Sequence, residues 1–237
     1  MQKSVLFLCA LVVLGLVGRS EGQPGSKIAF ISGRGTDNEG TDQNIWLMEA
    51  DGSNPAQLIA EGVQLASSET DNIGFAWSPD GTKIAFESTR IPPRAIWVVG
   101  ADGSNPVNLT GNTNNACTHP SWSPDGTKIV FESSRDIWIM EADGTNWVNL
   151  TPDVGLDGSP DFSPDGTKIV YTEVSANFTG PYIRTMDANG ENKVSIMQRI
   201  GQGFVIDIPL DWSPVLGLTT AIEATSWGQV KKDAVLD

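Results

Sequence analysis

The phrase Ser-Pro-Asp-Gly-Thr-Lys-Ile occurs three times, at residues 78–84, 123–129 and 163–169, and Ser213 opens a degenerate fourth copy. The four serines, Ser78, Ser123, Ser163 and Ser213, lie 45, 40 and 50 residues apart. A period of that length rules the architecture before any single residue suggests chemistry. Helical repeats would need amphipathic stretches of ten or more residues, and none appears. Short apolar runs between turn signals instead predict propeller blades of four strands each.

One unit reads strand by strand. Gly74-Phe75-Ala76-Trp77 is a first strand, closed by the Ser-Pro-Asp-Gly turn. There Pro presets φ and Gly tolerates a positive one. Residues 83–87 and 95–99 form the second and third strands. An Asp102-Gly103 hairpin then leads into a fourth strand at 107–109. The second and third strands carry consecutive apolar residues, as a sheet covered on both faces requires. Two more units follow the same order. Residues 26–58 supply a second, third and fourth strand with no first, and 208–214 supply a first strand with no followers. The expectation is an all-β propeller of four four-stranded antiparallel blades, with the termini sharing one blade and hiding two sheet edges.

Trp-Ser-Pro-Asp-Gly-Thr-Lys-Ile-Ala-Phe, then Ser-x-Arg, Ile-Trp and Ala-Asp-Gly-Ser-Asn, resembles the WD-repeat-like units of the TolB-type propeller family. The resemblance runs over nearly all of residues 25–214. It implies the fold, and for TolB itself a periplasmic place. Related units occur in the propellers of prolyl oligopeptidase-type proteases and of oligogalacturonate lyases, so the resemblance leaves function open. TolB adds an N-terminal α/β domain and six blades, and the proteases add a hydrolase domain; 237 residues leave no room for these beside four blades.

Residues 1–22 read as a secretory signal peptide, with Lys3 ahead of an apolar core at 5–17 and small residues Ser20 and Gly22 before a cut at Gln23. The core is too short for a bilayer span. The domain reading is therefore signal peptide 1–22, propeller 23–214 and a C-terminal tail 215–237 of no assigned role. After cleavage Cys117 is the one thiol, so no internal disulfide is expected. The formal charge is −14, from 15 Lys+Arg against 29 Asp+Glu. Such a surface disfavours nucleic acid and anionic lipid.

Two links in each blade, Ser-Pro-Asp-Gly and Ala-Asp-Gly-Ser-Asn, barely vary; the other two vary in length. Length variation on one end of a rigid scaffold marks the candidate binding face. Its loops hold Asp37, Glu39 and Asp42 within 33–44, and the Ser-x-Arg residues Arg34, Arg90 and Arg135 recur there. An arginine ring suits a carboxylate, while recurrence equally suits a tie from each blade to a nearby Asp. The acids suit either calcium or plain solvation; otherwise no cofactor or metal is expected. His119, the one histidine, opens an inner strand near the channel mouth, and without His or Cys partners it does not suggest zinc. No Gly-x-Ser-x-Gly elbow is present. Trp46, Trp97 and Trp138, and Trp77, Trp122 and Trp212, recur in register and read as wedge fillers. Trp147 and Trp227 break the pattern and read as exposed contacts. The sequons at Asn108 and Asn149 fall on repeat strands and read as coincidence, and a third stands at Asn177. The sum is a non-catalytic exported scaffold binding a protein or peptide through the variable face. The alternative is a carbohydrate-binding or carbohydrate-active propeller, related to the oligogalacturonate lyases, with His119, the Ser-x-Arg arginines and channel-mouth acids around a sugar.

Overall fold

The computed structural model describes residues 15–16, 27–32, 44–58, 74–88, 92–111, 113–152, 155–175 and 182–197. Within them the chain forms four antiparallel four-stranded sheets. The first holds β1 (Gly15–Leu16), β2 (Lys27–Ser32), β3 (Asn44–Glu49) and β4 (Ala56–Gln57). The second holds β5 (Phe75–Trp77), β6 (Lys83–Ser88), β7 (Ala95–Gly100) and β8 (Val107–Asn108). The third holds β9 (Cys117–Trp122), β10 (Lys128–Ser133), β11 (Asp136–Glu141) and β12 (Val148–Asn149). The fourth holds β13 (Gly155–Phe162), β14 (Lys168–Ser175), β15 (Tyr182–Asp187) and β16 (Val194–Met197). Strands follow sequence order in every sheet, which is the meander of a propeller blade.

The repeated phrase is a hydrogen-bonded turn. Ser78 Oγ donates to Asp80 Oδ1 at 2.6 Å and accepts from the Lys83 amide at 2.9 Å, and the Thr82 amide donates to the same Asp80 oxygen. The bonds recur at Ser123–Asp125 and Ser163–Asp165. Three donors on each carboxylate, the serine hydroxyl foremost, hold Asp80, Asp125 and Asp165 down to about 2. The phrase is thus punctuation for the blade. The sequons have a similar explanation: Thr110 Oγ1 and Thr151 Oγ1 are buried and accept from the Ile96 and Ile137 amides, both at 2.8 Å.

Three apolar clusters join the blades in series. Ala29, Ile45 and Leu47 pack with Ile84, Phe86 and Trp97. Ala85, Ile96 and Val98 pack with Trp122, Phe131 and Met140. Val130, Ile137 and Ile139 pack with Phe162, Ile169 and Tyr171. Alternate residues of each middle strand thus face opposite neighbours, which is why those strands are apolar on both faces. Four of the in-register tryptophans serve as wedge fillers: Trp97 and Trp122 are buried, and Trp77 and Trp138 pack at the rim of the clusters. Trp46 stacks on Phe30 of its own blade, and Trp212 lies outside the described residues.

The first blade differs from expectation. Residues 208–214 lie outside the described residues. Beside β2 stands β1, from the apolar run read as a leader, with Leu16 opposite Ile28 where Trp77 stands opposite Ile84. An unpaired β2 edge recruits any available strand, and here Gly15–Leu16 meets it. The tail 215–237 also lies outside the described residues.

Candidate functional site

The inner strands β5, β9 and β13 run side by side, and their variable ends gather polar groups. The reason is a shared distortion. The pairing of β9 with β10 slips between Val130 and Glu132, and that of β13 with β14 slips between Gly158 and Asp161. At these bulges His119 and Ser159 adopt φ of 52° and 49°, each just before a proline. A non-glycine residue in that region is held there by its surroundings, and bulges re-aim side chains beside functional sites.

Glu87, at the end of β6, occupies the first bulge. It is fully buried and accepts from the His119 amide at 2.6 Å and the Gly74 amide at 3.1 Å, with Arg94 Nη1 at 3.3 Å. Burial pushes its carboxyl up, against the pull of His119 and Arg94. Glu132, its counterpart one blade on, lies 3.4 Å from His119 Nδ1 and is partly exposed. Glu132 also crowds the next blade: a Cβ at Gly158 would stand 2.8 Å from its Oε2. His119, Glu132 and the Gly158–Ser159 backbone therefore form one continuous mouth.

Asp157 lies two residues before Ser159. Its amide donates to the Arg135 carbonyl at 2.8 Å, as the Cys117 amide does to Arg94 one blade earlier. Its carboxylate is buried, and Oδ1 has no hydrogen-bond partner; the Ser159 hydroxyl is likewise buried and unpartnered. Burial raises Asp157 to about 6, helped by Glu173 and Asp136 and opposed by a Thr151 hydrogen bond and Lys193. Glu173 is itself engaged by Arg184 Nε at 2.8 Å. Two buried oxygens at the mouth, Asp157 Oδ1 and the Ser159 hydroxyl, thus lack a hydrogen-bond partner among the described residues.

Of the residues singled out from sequence, His119 stands at this mouth. Arg34, Asp37, Glu39, Asp42 and Arg90 lie outside the described residues. Arg135 sits at the tip of the tight β10–β11 turn with φ of 69°, exposed. Its guanidinium makes no ion pair among the described residues. Trp147 corrects the expectation of an exposed contact. It packs edge-on against Phe131 and Trp138, at 4.9 and 6.2 Å between ring centroids, and its indole donates to the Gly144 carbonyl. It left the repeat pattern because it fills a wedge from the hairpin rather than from a strand. Trp227 lies outside the described residues.

Sequence reasoning missed Glu87, Glu132, Asp157 and Ser159. The available signal was His119-Pro120 and Ser159-Pro160 in the same repeat position of an inner strand, which promises a bulge. Among the described residues no three His, Cys, Asp or Glu side chains are placed to share a metal ion. No helix of the described residues is long and apolar enough to cross a membrane.

The fold has known counterparts. The putative TolB from Agrobacterium tumefaciens superposes with a TM-score of 0.58 at 23% identity, over 72% of this chain and 61% of that one. TolB from Acinetobacter baumannii gives 0.56 at 22% identity, over 72% and 41%. An oligogalacturonate lyase in complex with manganese gives 0.51 at 17% identity, over 76% and 52%. This chain therefore spans less than two thirds of any of these proteins. No curated protein is similar enough to count as a match. The family model for the TolB beta propeller domain matches residues 17–205, most of the length, and the chain belongs to that family.

Proposed function

We propose that this protein is an exported, non-catalytic TolB-type propeller that holds a segment of another protein or peptide against the variable ends of its inner strands. The observation that carries this reading is the pair of buried, unpartnered oxygens, the Asp157 Oδ1 acceptor and the Ser159 hydroxyl, beside the partly exposed His119–Glu132 pair. A buried acceptor left without a donor costs about 1–3 kcal/mol. A peptide segment brings backbone and side-chain N–H groups that recover that cost on binding. The excess of acid over base in the chain favours partners rich in donors and positive charge. Export rests on the leader-like residues 1–22, and a periplasmic or extracellular setting is the proposal that goes with them. Rigidity is the fold's contribution, because a preformed mouth loses little entropy on binding.

The test is capture from envelope extract on the immobilised chain, run beside a chain carrying His119→Ala, Glu132→Gln and Asp157→Asn. A partner retained by the first and lost by the second, with both folded by circular dichroism, supports the reading. Equal capture by both removes the mouth from it. A glycan panel bound by the first chain alone would transfer the same site to carbohydrate.

A further inference from the structure

On the opposite face, among the Ser-Pro-Asp-Gly turns, a groove of about 950 Å³ opens between the third and fourth blades. Its apolar floor includes Ile139, Leu150, Phe162 and the half-exposed Val148, and its rim includes Asp125 and Asp165. The repeat supplies an internal control. Between the first and second blades the equivalent positions, Leu47, Ala56 and Leu58 with Ala101 and Asp102, line a groove of only about 140 Å³. The fourth blade differs at the wedge: Phe162 occupies the position held by Trp77 and Trp122 in the second and third blades. The hairpins differ less. A Cβ at Gly103 would lie 2.2 Å from the Leu58 carbonyl oxygen, and one at Gly190 would still touch the third blade, 3.2 Å from Leu150 Cδ2.

The volume falls within the range of small-ligand sites, and an apolar floor with a few polar groups at its rim is their usual composition. The rim is net acidic, with Asp125, Glu141 and Asp165 against Lys128 among the described residues. Asp125 and Asp165 hydrogen-bond only within their own turns, and neither meets a cation among the described residues. Lys128, the one basic residue lining the groove, is engaged by Glu141 at 2.5 Å. Aromatic rings already fill the wedges of this fold wherever the chain supplies them, as Trp122 and Trp147 do between the second and third blades.

We infer that the groove between the third and fourth blades is a second binding site, which takes an aromatic side chain flanked by positive charge on a peptide segment. The ring lies on Ile139, Leu150 and Phe162, and the flanking cations face Asp125 and Asp165. The site is distinct from the mouth and does not depend on it.

Two capped peptides, Lys-Trp-Lys and Glu-Trp-Glu, serve as probes in calorimetric titrations of the purified chain. Lys-Trp-Lys should bind about tenfold more tightly than Glu-Trp-Glu, since the rim charges repel the latter. Val148→Trp, which places an indole over the floor, should weaken Lys-Trp-Lys about tenfold or more. Val107→Trp makes the same change at the equivalent exposed position of the second blade and should leave affinity within about twofold. Asp165→Asn keeps the turn acceptor and should cost about threefold, as exposed ion pairs do. The proposal is overturned by equal binding of the two probes, by binding that survives Val148→Trp, by equal loss in Val107→Trp, or by no binding to the folded chain. The triple substitution at the mouth leaves this titration unchanged, so either site can fail alone.

Discussion

The second and third blades meet through one chemistry, the third and fourth through another, although the same repeat builds both. On the face that the third blade turns to the second stand Cys117, Phe131, Trp138 and Trp147. The fourth blade puts Asp157, Tyr171, Arg184 and Lys193 at the same repeat positions. Backbone pairing hardly notices: Phe131 faces Trp138 as Tyr171 faces Arg184. The first interface is an aromatic seal; the second keeps an apolar centre, with a polar wedge and unpartnered oxygens at one end and an open groove at the other. Propeller geometry is maintained by strand pairing and by the turns, so side chains between blades are free to diverge. One interface is closed by aromatic rings, and the next carries the groups on which both proposed sites rest.

Truncating the seal should produce the largest effect. Phe131 is fully buried against Trp147 and the second blade. Phe131→Ala should cost about 3–5 kcal/mol in urea unfolding, the usual range for a buried aromatic. A loss under about 1 kcal/mol would mean that the two interfaces share the stabilisation evenly, and the comparison would fail.

Asp157 sharpens the contrast through pH. Its carboxyl is raised to about 6 in the folded chain from an ordinary value of 3.8, burial being the main cause. The folded state therefore holds a proton that the unfolded state has released between about pH 4 and 6. Stability falls as pH rises through that window and stays lower above it. The shift corresponds to about 3 kcal/mol before solvent screening, and about 1–2 kcal/mol is expected after it. Asp157→Asn should thus be more stable than the parent at pH 7.5 by that amount and match it near pH 4. Melting curves at the two pH values check this. The gain at neutral pH would mark the charge as a cost carried for something other than folding.

The arc of blades was legible because turns and strand patterns are local: each Ser-Pro-Asp-Gly unit closes its own hydrogen bonds within six residues. The site was legible only at His119. Glu87 looks like an ordinary strand end until the bulge of the following blade brings it a backbone amide, and Glu132 does so until the bulge in its own blade turns the His119 imidazole toward it. Those contacts span 32 residues for Glu87 and His119, beyond any local pattern. Trp147 misled for the same reason, since its break from the strand register hid a packing role supplied from the hairpin. Asp157 in place of Cys117 becomes informative only when the two blades are superposed.

The smallest expected effect concerns a single oxygen. Tyr171 stands where Phe131 does, and its ring is as deeply buried, but its Oη makes no well-formed hydrogen bond, although the Arg184 guanidinium lies beside it. Burial foremost, and then the Asp157 charge, push its phenol well up, so it remains neutral at every physiological pH. Tyr171→Phe removes a buried hydroxyl that returns nothing for its lost hydration. It should therefore leave urea stability unchanged or raise it by up to about 1 kcal/mol. That outcome would add Tyr171 to Asp157 and Ser159 in the proposed binding surface. A loss of about 1.5 kcal/mol would show that the polar wedge is a satisfied network, as sealed in its own way as the aromatic one. The two interfaces would then differ in composition alone, and the mouth would have to be sought among the variable loops instead.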